Sequence, residues 1–424
     1  MMRAMGFMKK LLVLAVLPCT LMLSSCFDKG CIDPAASNYD PTADKDDGSC
    51  NYPFADDLTK ADFGDDYGSI AHAMYEDAYL QAEAMRELIY QFVENPTIPG
   101  LAACQDAWVL AHIPYSQAEV LRFPESPVET MEQRINAWGF NPGYIDYLQD
   151  TSVNSIISQT EKYPTLDAQL LFDLNGTVEG KRITLGYHVI EFLLWGEDRQ
   201  APGQLTAGAR TFKDYNTNDT TVTFASRRGE YLKLVADQLV SDLSSLATSW
   251  SVATNNNFRQ SFEGWSPRKR TRVAITGLVL FGQYELGVDR LEGTLTSDDP
   301  EREESTFSDN TQRDIYFNAL GMRAVFNGRY GRTDSTYVEG TNLYDVVAER
   351  DSMAANELKL LLDNVVERAS LIPAPYDYNV SLEQGRGIGP VTDLYVALQK
   401  FGNRMTEVAQ ELNMGIEKDL PIDP

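Results

Sequence analysis

A histidine and a glutamate three residues apart, His188 and Glu191, lie in the stretch GYHVIEFLLWGED, which runs from Gly186 to Asp198. Imidazole is scarce, with only 3 histidines in 424 residues. Helical steps of four and three place Thr184, His188, Glu191, Trp195 and Asp198 on one stripe. The remaining positions, from Ile183 to Leu194, are almost all apolar. A helix that is apolar nearly all round is buried, so its polar stripe lies inside the protein or lines a cleft. A buried glutamate must be paired, protonated or bound to a cation, because an isolated charge in a low dielectric is very costly. A second stripe is its natural partner. In AWVLAHIPYSQAEVLRF the same steps give Trp108, His112, Tyr115, Glu119 and Arg122. Pro114 is expected to kink or restart that helix, so Tyr115, Glu119 and Arg122 are the positions certain to share a face. Glu119 and Arg122 have the spacing of an ion pair. If the two stripes meet, His188, Glu191, Glu119 and Arg122 gather in one buried site. Imidazole and carboxylate together suit a transition metal; the alternative is a satisfied polar network between helices.

The elements that must position these residues are helical. Apolar residues recur at three- and four-residue steps from Asp65 to Pro96, and again up to Pro124. The spacing predicts further helices over Lys181–Trp195, Ala225–Trp250, Pro267–Leu291, Ala354–Leu371 and Val391–Leu412. Only TTVTF, residues 220–224, alternates like a strand. The expected class is all-α, with two helical bundles packed side by side behind a short Asp-rich N-terminal module. The expected divisions are 1–25, a signal peptide; 26–56, the Asp-rich module and linker; 57–205, a first bundle carrying the HxxE pair; and 206–424, a second bundle.

The net charge of -26 disfavours nucleic acid as a partner and agrees with a solvated acidic surface or an attraction for cations. Lys9 and Lys10 precede a short apolar run that ends in LSSC, Leu23 to Cys26. That is a signal-peptide pattern too short to span a bilayer comfortably. It resembles the lipobox of bacterial lipoproteins, in which the cysteine takes the lipid. Lipid anchoring through Cys26, in the bacterial cell envelope on the periplasmic or surface face of the outer membrane, is therefore expected. Cys31 and Cys50 remain as a pair for a disulfide in an oxidising compartment, and Cys104 reads as a small buried hydrophobe. The segment between Gly30 and Tyr52 is rich in Asp, Pro, Asn and Gly. It is read as a disulfide-pinned spacer, with calcium on its acids, Asp46 and Asp47 among them, as the alternative.

Gly186, His188 and Glu191 fit the GxHxxE motif of imelysin-like proteins, and EFLLWGED continues the match. AWVLAHIPYSQAEVLRF, RINAWGFNPGYIDYL, FSDNTQRDIYFNALGM and FNGRYGR are similar to further blocks of that family. The resemblance covers roughly residues 65 to 416. It implies an all-helical fold of two bundles with the motif near their interface. It also implies a cell-envelope lipoprotein tied to iron uptake or iron regulation, with iron-transport proteins as partners. The family was named for metallopeptidase activity. Gly186, Tyr115, Trp195, Asp198, Ser308, Asp309 and Asn310 are nominated as supporting positions. Ser308 to Asn310 also looks like a helix N-cap, with Asp309 or Asn310 accepting backbone N–H groups. This chain departs from the family pattern where His112 replaces an arginine, and where Glu304, Thr306 and Gln312 replace His, Cys and His. If the lost histidines were ligands, the site here is remodelled.

Zinc peptidases use HExxH or its inversion HxxEH, and neither is met: Val189 follows His188 and Phe192 follows Glu191. Binding is therefore the first expectation, of iron, zinc or copper, of a small metal chelate, or of a haem-like ligand. An imelysin-type metallopeptidase and a structural or interaction lipoprotein are the alternatives.

Overall fold

The computed structural model describes residues 28–32, 36, 38–46, 49, 64–148, 154–178, 182–198, 207–297 and 302–416. The signal peptide, the Cys26 lipidation site, Asp47 and Cys50 lie outside the described residues. Two compact units divide the chain, residues 1–51 and 52–424. In the first, β1 (Lys29–Gly30) pairs in parallel with β2 (Lys45–Asp46), and Cys31 is disulfide-bonded.

Among the described residues, the second unit is all-α apart from one hairpin and an isolated bridge between Thr177 and Arg182. Its helices are α1 (Gly64–Glu94), α2 (Ile98–Ala118), α3 (Glu132–Ile135), α4 (Ala168–Leu174), α5 (Tyr187–Trp195), α6 (Ala225–Trp250) and α7 (Phe258–Glu263). There follow α8 (Pro267–Val279), a π-helical stretch (Leu280–Glu292), α9 (Gly293–Thr296), α10 (Thr311–Asn327), α11 (Leu343–Arg350), α12 (Ser352–Ser370), α13 (Tyr376–Glu383) and α14 (Pro390–Glu411). The hairpin joins β3 (Arg329–Gly331) to β4 (Tyr337–Glu339), with Tyr330 opposite Val338. Residues 220–224, the one stretch that alternates like a strand, instead form turns that lead into α6. Among the described residues no helix is long and apolar enough to cross a membrane.

One group of helices is α1 packed on α2 and α6; the other sets α12 against α10 and α14, and α14 against the π-helical stretch. The groups meet where α10 packs on α2. A Cβ at Gly321 would stand 2.1 Å from the Gln117 carbonyl oxygen, so that contact is backbone against backbone. Because α6 belongs with α1, the groups interleave in sequence and do not meet at residue 205.

Two expected boundaries move for local reasons. α5 begins at Tyr187, not Lys181, because Gly186 takes a φ of 103° that a helix cannot contain. α2 runs through Pro114 without a break. The chain then tightens into a 3₁₀ turn over Glu119–Leu121 and leaves the helix at Arg122, whose ψ is 122°.

Candidate functional site

All nine residues of α5 are buried. A helix this short is marginal in water, so its apolar faces hold it in place. Gly186 sets its start. A Cβ there would lie 2.6 Å from the Ile135 carbonyl oxygen, so only glycine lets α5 approach the end of α3 so closely. That approach brings Asn136, just past α3, into the same polar core as His188 and His112.

His188 and Glu191 meet as their spacing predicts, with Nδ1 of His188 2.7 Å from Oε2 of Glu191. Glu191 is otherwise fully engaged. Its Oε1 accepts from the backbone N–H of Phe307 at 3.1 Å and of Ser308 at 2.8 Å, and from the Ser308 hydroxyl at 2.7 Å. Glu191 is thereby placed to orient the imidazole, and the group of potential ligand atoms around His188 is formed with His112 and Glu304. When Glu191 is ionised, its carboxylate takes the N–H of one ring nitrogen, fixes the tautomer and leaves the other nitrogen as a lone pair. That other nitrogen, Nε2 of His188, is buried and has no hydrogen-bond partner. Burial, and then the positive charge on His112, push His188 down to about 3, so the ring is neutral. Burial pushes Glu191 up to about 8, against the pull of the Ser308 donors.

His112 is in the opposite state. Asn136 donates from Nδ2 to Glu304 at 3.0 Å, which turns its Oδ1 toward Nε2 of His112 at 2.8 Å. Nδ1 of His112 faces Asp314 at 2.9 Å. With an acceptor on each side, both nitrogens carry protons. Burial works against the charged ring, but Asp314 outweighs it and holds His112 at about 9. Burial likewise opposes the ionised Asp314, and the His112 imidazolium still keeps it below the usual carboxylate range. Asp314 also accepts from Ser305 at 2.6 Å and Asn310 at 2.7 Å. The two imidazoles lie nearly perpendicular, 5.4 Å between centroids, with Trp108 stacked on His112.

The acids of this core outnumber its cations. Glu119, Glu132, Glu191, Glu304 and Asp314 are buried with His112, Arg122 and Arg290. Arg290 stands on the π-helical stretch and serves three carboxylates: Glu119, Glu304 at 2.5 Å and Glu285 at 2.9 Å. Asn318 adds a donor to Glu119 at 2.9 Å. Burial pushes Glu304 and Glu132 up to about 8. The predicted Glu119–Arg122 pair does not form. Arg122 donates to Glu129 and Glu285, both at 3.1 Å, because the chain leaves the helix at Arg122 and the helical spacing lapses.

One ring nitrogen of His112, one of His188 and an oxygen of Glu304 lie within 4.8 Å of one another. The supporting positions divide. Tyr115 donates to Glu132 at 2.5 Å, and Trp195 packs edge-on against Trp108. Ser308 holds Glu191. Asn310 stands at the N-cap of α10 but makes no capping bond and donates to Asp314 instead, which corrects the capping expectation. Asp309 has a left-handed φ of 54° and shares a hydrogen bond with Asp198. Burial and the neighbouring charges of Asp198 and Asp377 push it up to about 7, so the site has an acidic flank.

The imelysin family model, described as Peptidase_M75, matches residues 71–400. The chain belongs to the imelysin family. No curated protein matches the sequence. Two crystal structures share the imelysin fold. A putative iron-regulated protein A precursor from Parabacteroides distasonis ATCC 8503 is 16% identical, with a TM-score of 0.61, over 83% of this chain and 95% of that one. An imelysin-like protein from Psychrobacter arcticum 273-4 is 12% identical, with a TM-score of 0.52, over 84% of this chain and 94% of that one. Measured against the imelysin pattern noted in the sequence, two departures, His112 and Glu304, both fall inside the cluster around the bare nitrogen. Arg290 and Asn136 are members of the buried polar core that the sequence reading did not single out, whereas Asp314 stood there as a retained position of the FSDNTQRDIYFNALGM block. Arg290 could have been found only by knowing that the helix after Val279 changes its hydrogen-bond pattern.

Proposed function

We propose that this imelysin-family protein is a lipid-anchored, metal-binding protein of the bacterial cell envelope, holding an iron-type cation at His188 in an iron-related role. The observation that carries the reading is the bare Nε2 of His188. A buried acceptor without a partner costs about 1–3 kcal/mol, and a fold that retains one calls for an explanation. A cation supplies it. His188 is already neutral, the ionised form of Glu191 fixes its tautomer, and acidic side chains, three of them raised to about 8, outnumber the basic ones around it and can release protons to a cation. Glu304 would be the second ligand, and His112 the third once it gives up its proton to solvent. A neutral nitrogen with carboxylate suits iron, zinc or copper. One structural relative is a putative iron-regulated protein, which favours iron. Enclosure of all three residues favours a bare ion over a haem-sized chelate. Glu191 has both oxygens committed to protein donors, which gives it an orienting part and favours binding without turnover.

The test is calorimetric titration of chelator-stripped protein with ferrous, zinc and cupric ions. The expected result is one saturable site in the wild type, lost in His188→Ala. Absence of any saturable site, or equal affinity in both proteins, sinks the reading. Anchoring through Cys26 is tested by fractionation: Cys26→Ser should move the protein from the membrane pellet to the soluble fraction.

A further inference from the structure

α2 and α10 each present two working faces. One pair of faces builds the polar core through His112 on α2 and Asp314 and Asn318 on α10, with Glu119 in the turn just past α2. The opposite faces, with Gln117 on α2 and Phe317, Arg323 and Asn327 on α10, line a separate groove. The β3–β4 hairpin and α12 complete its walls, and its volume is about 990 Å³. That is the upper end of the range for small-molecule sites, roughly 300–1,000 Å³, and far larger than a packing defect.

The groove is cationic in a chain whose net charge is -26. Arg323, Arg329, Arg332 and Lys359 line it, against Asp363 as the acid in its wall. Three of these cations are already spent: Arg329 on Glu339, Arg332 on Asp77 and Glu76, and Lys359 on Asp363. Arg323 is not. It is half-buried and, among the described residues, has neither an ion pair nor a hydrogen bond. Surface acids abound in this protein, yet none among the described residues reaches this guanidinium, which leaves its fork of donors able to take an anion from solution. Aromatic surface lies beside it. The Tyr337 ring is 60% exposed, with the Arg329 guanidinium 4.2 Å from its centroid, and Phe317 and Tyr344 are half-buried in the walls.

These walls are fixed before any ligand arrives. Asp77 on α1 accepts from the Tyr330 hydroxyl at 3.1 Å, the Thr333 backbone N–H at 3.0 Å and Arg332 at 2.7 Å, which pins the hairpin. A preformed site loses less free energy to ordering on binding.

We infer that this groove binds a small organic anion carrying an aromatic ring system, with the acid group on Arg323 and the ring against Tyr337 and Phe317. The site is distinct from the His188 centre and does not rest on it.

Flavin mononucleotide is a suitable probe, since it joins a flat ring system to a phosphate; riboflavin supplies the ring alone and inorganic phosphate the anion alone. Quenching of flavin fluorescence on titration with the purified full-length protein reads the affinity. Flavin mononucleotide should saturate one site, at least about tenfold tighter than riboflavin, as expected for a hydrogen-bonded charge pair. Inorganic phosphate should compete only weakly. Arg323→Gln should erase the difference between the two flavins, Tyr337→Ala should weaken both, and metal uptake should be unchanged in each variant. Failure of flavin mononucleotide to saturate, equal affinity for the two flavins in the wild type, or unaltered binding in Arg323→Gln would overturn the inference.

Discussion

Two buried polar clusters within residues 52–424 are built from the same kinds of side chain and differ in charge balance. In the first, Asp146 takes Arg228 through two hydrogen bonds, at 2.6 and 3.2 Å, and Arg210 at 2.8 Å. Asp214 accepts from Tyr147 at 2.6 Å and Arg210 at 3.5 Å. Two acids face two arginines, and the atom left without a hydrogen bond is a donor, Nε of Arg210. That guanidinium lies over the Tyr147 and Phe192 rings, 5.2 Å from each centroid. In the second cluster acidic side chains outnumber basic ones, and beside a bare donor, Nε of Arg290, there is also a bare ring nitrogen, Nε2 of His188. A neutral, closed network holds a fold together. An acid-rich network around a free lone pair is poised for a cation that the chain does not itself provide.

Mutations should separate the two clusters. The largest effect is expected of His188→Ala, which should cut metal affinity by about 100-fold or more while leaving the thermal midpoint near that of the metal-free wild type; titration and a melting curve read both. Asp146→Ala should do the reverse, costing about 3–5 kcal/mol in denaturant unfolding because two arginines are left buried without their partner, while the surviving folded protein takes up metal normally. Glu191→Gln should reduce metal affinity about 10–100-fold by loosening the tautomer and angle of His188. If it changes stability alone, the pair only fixes helix packing.

A subtler contrast lies in pH. Burial raises Glu304 from 4.5 to about 8, so between those values the native chain holds a proton that the unfolded chain has lost. Metal-free stability contributed by this group therefore falls as pH rises from about 4.5 to 8. Glu304→Gln should flatten that decline, adding on the order of 1 kcal/mol at pH 8, yet weaken metal binding. Asp146 has the other sign. Burial raises it, the arginines outweigh burial, and its folded value is depressed. Its stabilisation is present above its unfolded value of 3.8 and is lost as pH falls through the lower folded one. Unfolding curves taken from pH 3 to pH 9 on the two variants read both slopes.

Much of this was legible in the residues because it depends on local order. The spacing of His188 and Glu191, the apolar faces of α5 and the span of α6 all follow from helical periodicity. Glu119 and His112 were visible as polar positions on a buried stripe. What periodicity could not show was pairing across the fold. Arg290 lies 171 residues from Glu119, on a stretch whose π-helical turns break the 3.6-residue pattern. Asn136 and Asp314 come from short segments that read as loop and helix start, and only the close approach allowed by Gly186 brings the first of them to His112. The Glu119–Arg122 expectation failed for a local reason, since the helix ends between them.

The most direct test is anomalous X-ray diffraction from crystals of the protein soaked in ferrous or zinc ions, recorded at the metal absorption edge. A peak about 2.0–2.1 Å from Nε2 of His188, absent from His188→Ala crystals, is the predicted result. Metal bound elsewhere with Nε2 still bare, or no peak at all, would contradict the account.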